Sequence, residues 1–105
     1  MKGFQITFFT QQDRKYKGKP LAEWLLQAAK DHGALGGTIT AGSESFGRDG
    51  HFHSAHFFEL ADQPIVVTMA VDEATAKSLF EDIEKEGVSV FYVKTAVEFG
   101  AIGKP

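Results

Sequence analysis

The sequence predicts an α+β domain in which two helices cover one face of an antiparallel sheet. Its strand-like segments are apolar and β-branched, and its two helical segments repeat apolar residues every three to four positions. These elements follow one another as strand, helix, strand, strand, helix, strand, with a long segment rich in glycine and histidine after the second strand. Because the chain has 105 residues, we expect residues 1–105 to form a single domain.

The first half of the chain predicts one strand and one helix. Apolar residues recur at every second position over Phe4–Thr10, which predicts a strand, and the polar segment 11–19 predicts a loop. Pro20 is expected to begin the helix, because a proline at the first helical position sacrifices no hydrogen bond. Gly33 ends the helix as its left-handed residue. The apolar stripe of this helix consists of Leu21, Trp24, Leu25, Ala28 and Ala29.

The second half predicts three strands and a helix. The second strand is predicted over Thr38–Ser43, and pairing with it is expected to resume near Ser54, where residues 55–60 would fold back. Ile65–Val71 is apolar on both faces, so we expect a central strand that is covered on both sides. Asp72 is predicted to cap the second helix. The remaining features are the stripe Ala76, Leu79, Phe80 and Ile83, the stop at Gly87, and a last strand over Val88–Val97.

This order of elements is the ferredoxin-like βαββαβ arrangement, which places both helices on one side of the sheet. The other side, which we call the open face, must then be covered by something else, because several of its residues are apolar. We therefore expect self-association through this face. The apolar candidates on it are Phe9, Val66, Ala70, Phe91 and Val93.

Composition excludes several classes of function. The formal net charge of −3 argues against a nucleic-acid surface, which needs a basic patch. The chain has no cysteine, so disulfides, thiolate nucleophiles and thiolate metal sites are excluded. It also lacks a signal-peptide pattern and a run of about 18 apolar residues, the length of a membrane helix. We expect a cytoplasmic protein.

The segment between the second and third strands is the candidate functional region, because a long loop in a small domain is usually functional. Its glycines would let the backbone approach a ligand and form an anion-binding nest. Arg48 could bind an anion bidentately, and Lys19 lies beside a helix N-terminus. The alternative is that the glycines only turn the chain and that the basic run 14–19 is solvated. The candidate nucleotide- or anion-binding residues are Gly36, Gly37, Thr38, Thr40, Gly42, Ser43, Phe46, Gly47, Arg48 and Lys19.

The same segment contains three of the four histidines, in the pattern H-x-H-x-x-H. On a strand, His51 and His53 share a face and His56 points to the other. Imidazole suits zinc, copper or nickel, so His51 and His53 are candidate metal ligands. The alternative is that these histidines are solvated loop residues.

Three short motifs resemble a known family. They are Tyr16-Lys17-Gly18-Lys19-Pro20-Leu21 at the start of the first helix, Phe46-Gly47 in the loop, and His53-Ser54-Ala55 after it. Together with the element order, they resemble the PII-like signalling superfamily, and within it a short branch labelled a domain of unknown function. The resemblance covers roughly residues 4–97.

The resemblance implies a ferredoxin-like trimer that binds adenine nucleotides between subunits. It also implies that the T-loop-like segment 44–55 signals to a partner such as a membrane transporter. The glycine- and lysine-rich loop that binds phosphates after helix two in PII proteins is missing, as are the paired arginines after the last strand; Lys94 and Lys104 lie in that region. AMP or ADP, or another small anion, is therefore expected in preference to ATP.

Two other functions remain as alternatives. One is a divalent-metal-binding trimer that resembles the cation-tolerance proteins of the same fold, with His51 and His53 as ligands. The other is a small enzyme, which we rank last because no catalytic motif is present. Acylphosphatase shares this element order, but its mechanism needs an asparagine and this chain has none. We therefore expect a binding protein and not an enzyme.

Overall fold

The computed structural model describes residues 1–42, 44–46, 52–54 and 63–103. Ten helices and strands form in this part of the chain. In chain order they are β1 (Lys2–Gln11), β2 (Lys15–Tyr16), β3 (Lys19–Pro20), α1 (Leu21–Asp31), β4 (Gly37–Ala41), β5 (Glu44–Phe46), β6 (Phe52–Ser54), β7 (Pro64–Asp72), α2 (Glu73–Lys85) and β8 (Phe91–Glu98).

The main sheet has the strand order β4-β7-β1-β8, and every neighbouring pair is antiparallel. The four strands and two helices are those of the ferredoxin-like arrangement, so the predicted fold class is confirmed. The strand predicted to be central, β7, lies between β4 and β1. Pro64 begins it, which is a position where a strand tolerates the missing N–H of proline.

The core lies between the helices and one face of the sheet. Period-two alternation turns Ile6 and Phe8 of β1 and Val67 of β7 inward, and these three side chains are fully buried. The helices contribute the predicted apolar stripes, so both amphipathic predictions are confirmed. Their buried members are Leu21, Ala22, Leu25, Ala28 and Ala29 on α1 and Ala76, Leu79 and Ile83 on α2.

The helix ends follow the predicted capping chemistry. Asp72 caps α2, because its Oδ1 accepts a hydrogen bond from the Thr75 backbone N–H at 2.7 Å. Gly33 and Gly87 follow the two helices with φ values of 105° and 72°, which a residue with a Cβ rarely adopts. Pro20 precedes α1 as its N-cap and is not its first helical residue.

One side chain joins the two helices. His32, just after α1, lies with Nδ1 3.0 Å from Ser78 Oγ and with Nε2 2.9 Å from Asp82 Oδ2. Both partners belong to α2. The bridge therefore fixes the end of α1 against the middle of α2.

The predicted loop over residues 11–19 is wrong in part, because β2 and β3 form a small hairpin. Lys17 and Gly18 make its turn with φ values of 52° and 81°, and positive φ at both central residues is what a type I′ turn requires. The pair Lys-Gly is a weaker hairpin signal than Asn-Gly or Asp-Gly, so the sequence pattern did not indicate it.

The second strand and the segment after it also differ from prediction. β4 ends at Ala41 and not at Ser43, and the next backbone N–H, from Gly42, donates to Pro64 O at 2.7 Å. Pairing does resume at Ser54, but its partner is Glu44, so β5 and β6 form a ladder of their own. The predicted fold-back over residues 55–60 lies outside the described residues. The last strand begins at Phe91 and not at Val88.

Candidate ligand-binding groove

The open face of the sheet carries a polar row at its centre. The strand registers place Thr38, Thr68 and Thr7 side by side on three neighbouring strands. The hydroxyl oxygens of Thr7 and Thr68 lie 3.5 Å apart. The middle of this face therefore offers hydroxyl groups, whereas one end of it carries the aromatic side chains of Phe9 and Phe91.

A groove of about 360 Å³ lies at the opposite end from those aromatic residues. Gln5, Thr68 and Ala70 come from the two central strands, and their places in the alternation put all three on the open face. One side of the groove is formed by residues 36–38 and the other by residues 97–99. This volume falls at the low end of the range of about 300–1,000 Å³ for small-molecule sites.

Three of the predicted site residues meet at this groove: Gly36, Gly37 and Thr38. The two glycines differ in what surrounds them. A Cβ on Gly37 would lie 2.6 Å from Leu26 Cδ1, so a larger residue there would force the Leu26 side chain to shift. A Cβ on Gly36 would meet nothing within 4 Å. Packing does not explain the glycine at position 36, and the backbone there is open to a ligand.

The structure places the other predicted residues elsewhere. Thr40 shares the open face with Thr38 but lies two residues further along β4, and Gly42 lies beyond the end of that strand. From Gly37 to Gly42 the chain advances about 16 Å at roughly 3.3 Å per residue. Lys19 precedes α1, whereas Gly36 follows it, and the 11 residues of α1 separate them by about 16 Å. One chain alone does not bring Lys19 to the groove.

Several predicted residues lie outside the described part of the chain. Ser43, Gly47, Arg48 and His51 are among them, and Phe46 and His53 are placed only as members of β5 and β6. The prediction of a metal site at the histidines is therefore untested. Within residues 1–42 and 63–103, no group of three metal-ligating side chains comes together.

The charges at the groove do not favour a phosphate group. No lysine or arginine lines it among the described residues, and Glu98 lies at its edge. The basic residues of segment 14–19 lie at the far end of α1. Two of them have structural partners: the Arg14 guanidinium donates to the carbonyl oxygen of Ser89, and Lys17 Nζ donates to Glu86 Oε1 at 2.8 Å. That hydrogen bond, helped by the charge of Glu86, raises the pKa of Lys17 above its usual value of 10.5.

The first family-like motif serves to hold the β2–β3 hairpin in place. Tyr16 donates its hydroxyl to the carbonyl oxygen of Glu86 at 3.1 Å, and its ring packs edge-on against Trp24 with centroids 5.0 Å apart. Leu21 is fully buried, and its N–H donates to Arg14 O at 2.8 Å. The hairpin thus covers the connection between α2 and β8.

Lys94 lies on the helix side of the sheet and not at the groove. Its Nζ is 4.6 Å from the ring centroid of Phe4 and 5.4 Å from that of Phe80. These are distances at which an ammonium is attracted to the face of an aromatic ring. Lys94 therefore links β8 to Phe4 and Phe80, two aromatic residues that pack against the core.

Sequence reasoning missed Gln5, Ala70, Val97 and Phe99 as groove residues. The available signal for Gln5 was its position between Phe4 and Ile6, which turns a lone amide to the open face. Phe99 lies just after β8, where its backbone N–H and carbonyl bond to Met1. That contact fixes the course of the chain along the groove.

Comparison with known proteins places these features in a family. The family model of DUF190, described as an uncharacterized ACR, matches residues 3–98. A UPF0166 protein of Aquifex aeolicus (strain VF5) is 29% identical over 80 residues, which cover 75% of this chain and 76% of the relative.

Two solved structures share the fold. CPII from Thiomonas intermedia K12, a nitrogen regulatory PII-like protein bound to ADP, AMP and bicarbonate, superposes with a TM-score of 0.72 at 18% identity, covering 96% of this chain and 91% of its own. TTHA0516 from Thermus thermophilus, described as a PII-like signaling protein, superposes with a TM-score of 0.66 at 19% identity. The superposition covers 91% of this chain and 87% of that protein. The fold is therefore that of PII-like proteins.

Neither α1 nor α2 has the length and apolar character that a membrane-crossing helix needs.

Proposed function

The chain belongs to the DUF190 family, and on that premise we propose that it is a PII-like regulatory protein that binds an adenine nucleotide, AMP or ADP in preference to ATP. The observation that carries the proposal is the groove beside Gly36. It lies on the open face of a fold that CPII uses while bound to ADP and AMP. Packing does not require a glycine at position 36. The lack of a side chain there would let a ligand approach the backbone closely.

The nucleotide site is completed by a second copy of the chain. No lysine or arginine is among the described groove residues, so we expect another part of the assembly to supply the positive charge for a phosphate. The exposed fractions of Phe9, Phe91 and Val93 are 41%, 50% and 47%, which is high for neighbouring apolar side chains in a chain that stays alone in water. A homotrimer packed through the open face would cover them and place a groove at each subunit boundary.

Ligand binding is coupled to the loop through β4 and β7. Both strands line the groove at one end, and at the other end they flank segment 43–63. A ligand that favours one arrangement of β4 would change the population of loop states, and the loop at residues 44–55 would report this to a partner. We propose that the partner is a protein such as a membrane transporter and that the complex forms in the cytoplasm. The chain then acts by binding and not by catalysis.

Calorimetry with AMP, ADP, ATP, cyclic AMP and bicarbonate tests the proposal. We expect saturable binding of AMP or ADP to the wild-type protein, and weaker or absent binding to Ala70→Leu, in which a larger side chain occupies the groove floor. Leu35→Ala is the matched control, because Leu35 is 83% exposed and does not line the groove. Absence of binding by every compound at millimolar concentration would refute the nucleotide function.

A further inference from the structure

The groove contains a single side-chain amide, that of Gln5, among the residues that the structure describes. Alternation along β1 turns Gln5 away from the helices, and the strand registers set it between Ala70 on β7 and Thr95 on β8. Gln5 is exposed, and its amide makes no hydrogen bond to another residue of the described ranges. An amide without a protein partner on the floor of a groove is available to a ligand.

The groove is recessed beside this amide because the neighbouring side chains are small. Ala70 lies directly opposite Gln5, and no side chain projects from Gly36 at the groove wall. Val97 and Phe99 contribute apolar surface on the other side. A flat and mostly apolar molecule with one polar edge fits this combination better than a compact anion does.

We propose that the groove binds the purine base of the nucleotide, and that Gln5 recognises the edge of adenine formed by N6 and N7. The inference rests on the proposed function and adds to it the residue that selects the base. A glutamine amide presents one acceptor and two donors. Its oxygen accepts from the N6 amino group while its nitrogen donates to N7, as glutamine does when it contacts adenine in DNA.

The same pairing disfavours the competing purines. Guanine and hypoxanthine carry an oxygen at position 6, so their corresponding edge has two acceptors and no donor. The amide of Gln5 could then make only one of the two hydrogen bonds, in either of its flipped orientations. The carboxylate of Glu98 supports this orientation of the ligand, because a negative charge at the edge of the groove disfavours a phosphate there.

The experiment compares ADP, IDP, GDP and 7-deaza-ADP by calorimetry on the wild type, on Gln5→Ala and on Gln27→Ala. Gln27 is the matched control, because its Nε2 donates to Asp31 Oδ1 at 2.9 Å on the exposed side of α1. We expect the wild type and Gln27→Ala to prefer ADP over IDP by between about 5-fold and about 150-fold, the range for one bidentate base contact. For Gln5→Ala the preference should fall below about 2-fold.

7-Deaza-ADP isolates the bond to N7, because it keeps the N6 amino group. We expect the wild type to bind 7-deaza-ADP more weakly than ADP. Gln5→Ala should bind the two nucleotides with equal affinity. Equal binding of ADP and IDP to the wild type, or a preserved preference in Gln5→Ala, would overturn the role of Gln5 while leaving the nucleotide function intact. If no nucleotide binds the wild type, the proposed function itself fails. Thermal unfolding of each variant confirms that the comparison is made on folded protein.

Discussion

Phe9 on β1 and Phe91 on β8 lie opposite each other on the face of the sheet without helices, with ring centroids 5.7 Å apart. About half of each residue is accessible to water in the single chain, 41% and 50% respectively. Because an aromatic pair is left half exposed beside Val93, we expect this end of the open face to be a contact surface.

The aromatic pair predicts self-association. We expect the wild type to elute as a trimer in size-exclusion chromatography with light scattering, and the double variant Phe9→Ser/Phe91→Ser to elute as a monomer. Leu35→Ser removes an exposed apolar side chain of the connection between α1 and β4, outside the aromatic pair, and should remain a trimer. A wild-type protein that is monomeric at every concentration would contradict the prediction.

The contact between Tyr16 and Glu86 predicts a measurable contribution to stability. Tyr16→Phe removes the 3.1 Å hydrogen bond but keeps the ring against Trp24. We expect the free energy of unfolding to fall by about 0.5–1.5 kcal/mol, the usual net value of one such bond. Urea unfolding provides the measurement. Lys17→Gln should have a smaller effect, because the side chain of Lys17 is 61% exposed in its ion pair with Glu86.

The N-cap of α2 predicts a dependence of stability on acid. The hydrogen bond from the Thr75 backbone N–H lowers the pKa of Asp72 below its usual value of 3.8. A carboxyl group with a lowered pKa in the folded state stabilises the fold above its unfolded-state pKa, and that contribution is lost as pH falls through the lower, folded-state pKa. The stability advantage of the wild type over Asp72→Ala should therefore be constant near neutral pH, decline as the pH falls below 3.8 and be lost in stronger acid. Thermal unfolding across this range measures the difference, and an advantage that persists unchanged in strong acid would contradict it.

Lys94 is predicted to act on stability and not on ligand binding. Lys94→Gln removes the ammonium from Phe4 and Phe80 and should cost about 0.5–1 kcal/mol, as for an exposed cation–π contact. Its affinity for ADP should equal that of the wild type. The control is Lys77→Gln, which changes an exposed lysine of α2. Lost ADP affinity with unchanged stability would instead identify Lys94 as a phosphate ligand.

Substitution by alanine is predicted to affect stability at one glycine and ligand affinity at another. A Cβ on Gly3 would overlap the backbone of Val71 in the β1–β7 pair, so Gly3→Ala should lower the free energy of unfolding by about 1–3 kcal/mol. Gly36→Ala meets open space and should change it by less than about 0.5 kcal/mol. Nucleotide affinity should fall for Gly36→Ala. If Gly36→Ala binds AMP and ADP like the wild type, the ligand does not approach the backbone at that position.

The scaffold was predictable because burial leaves a periodic signal in the chain. Ile6, Phe8 and Leu79 recur at the spacing of a strand or a helix, and each is fully buried. The hairpin at Lys17 was not predictable, since its turn uses a left-handed lysine, a conformation that no local pattern indicates.

The candidate site was predictable only in part. Gly36 and Thr38 were indicated by their place at the start of β4, and the structure puts them at the groove. Lys19 was grouped with them, although α1 separates them. The alternation along β1 places Gln5 on the open face, but a single amide in a strand does not by itself indicate a site and becomes notable only when β7 brings Ala70 beside it. Which residues share a site depends on pairing between distant segments, and composition does not encode that directly.

The bond from Gly42 N–H to Pro64 O brings the two edges of the insertion between β4 and β7 together at 2.7 Å. A segment whose ends are already held together can be replaced by one of another length, because the entropic cost of closing a loop grows only slowly with its length. The segment between β4 and β7 could thus change during evolution while the helices and the sheet stay unchanged. Protein engineering could do the same by transplanting residues 43–63 from one homologue to another.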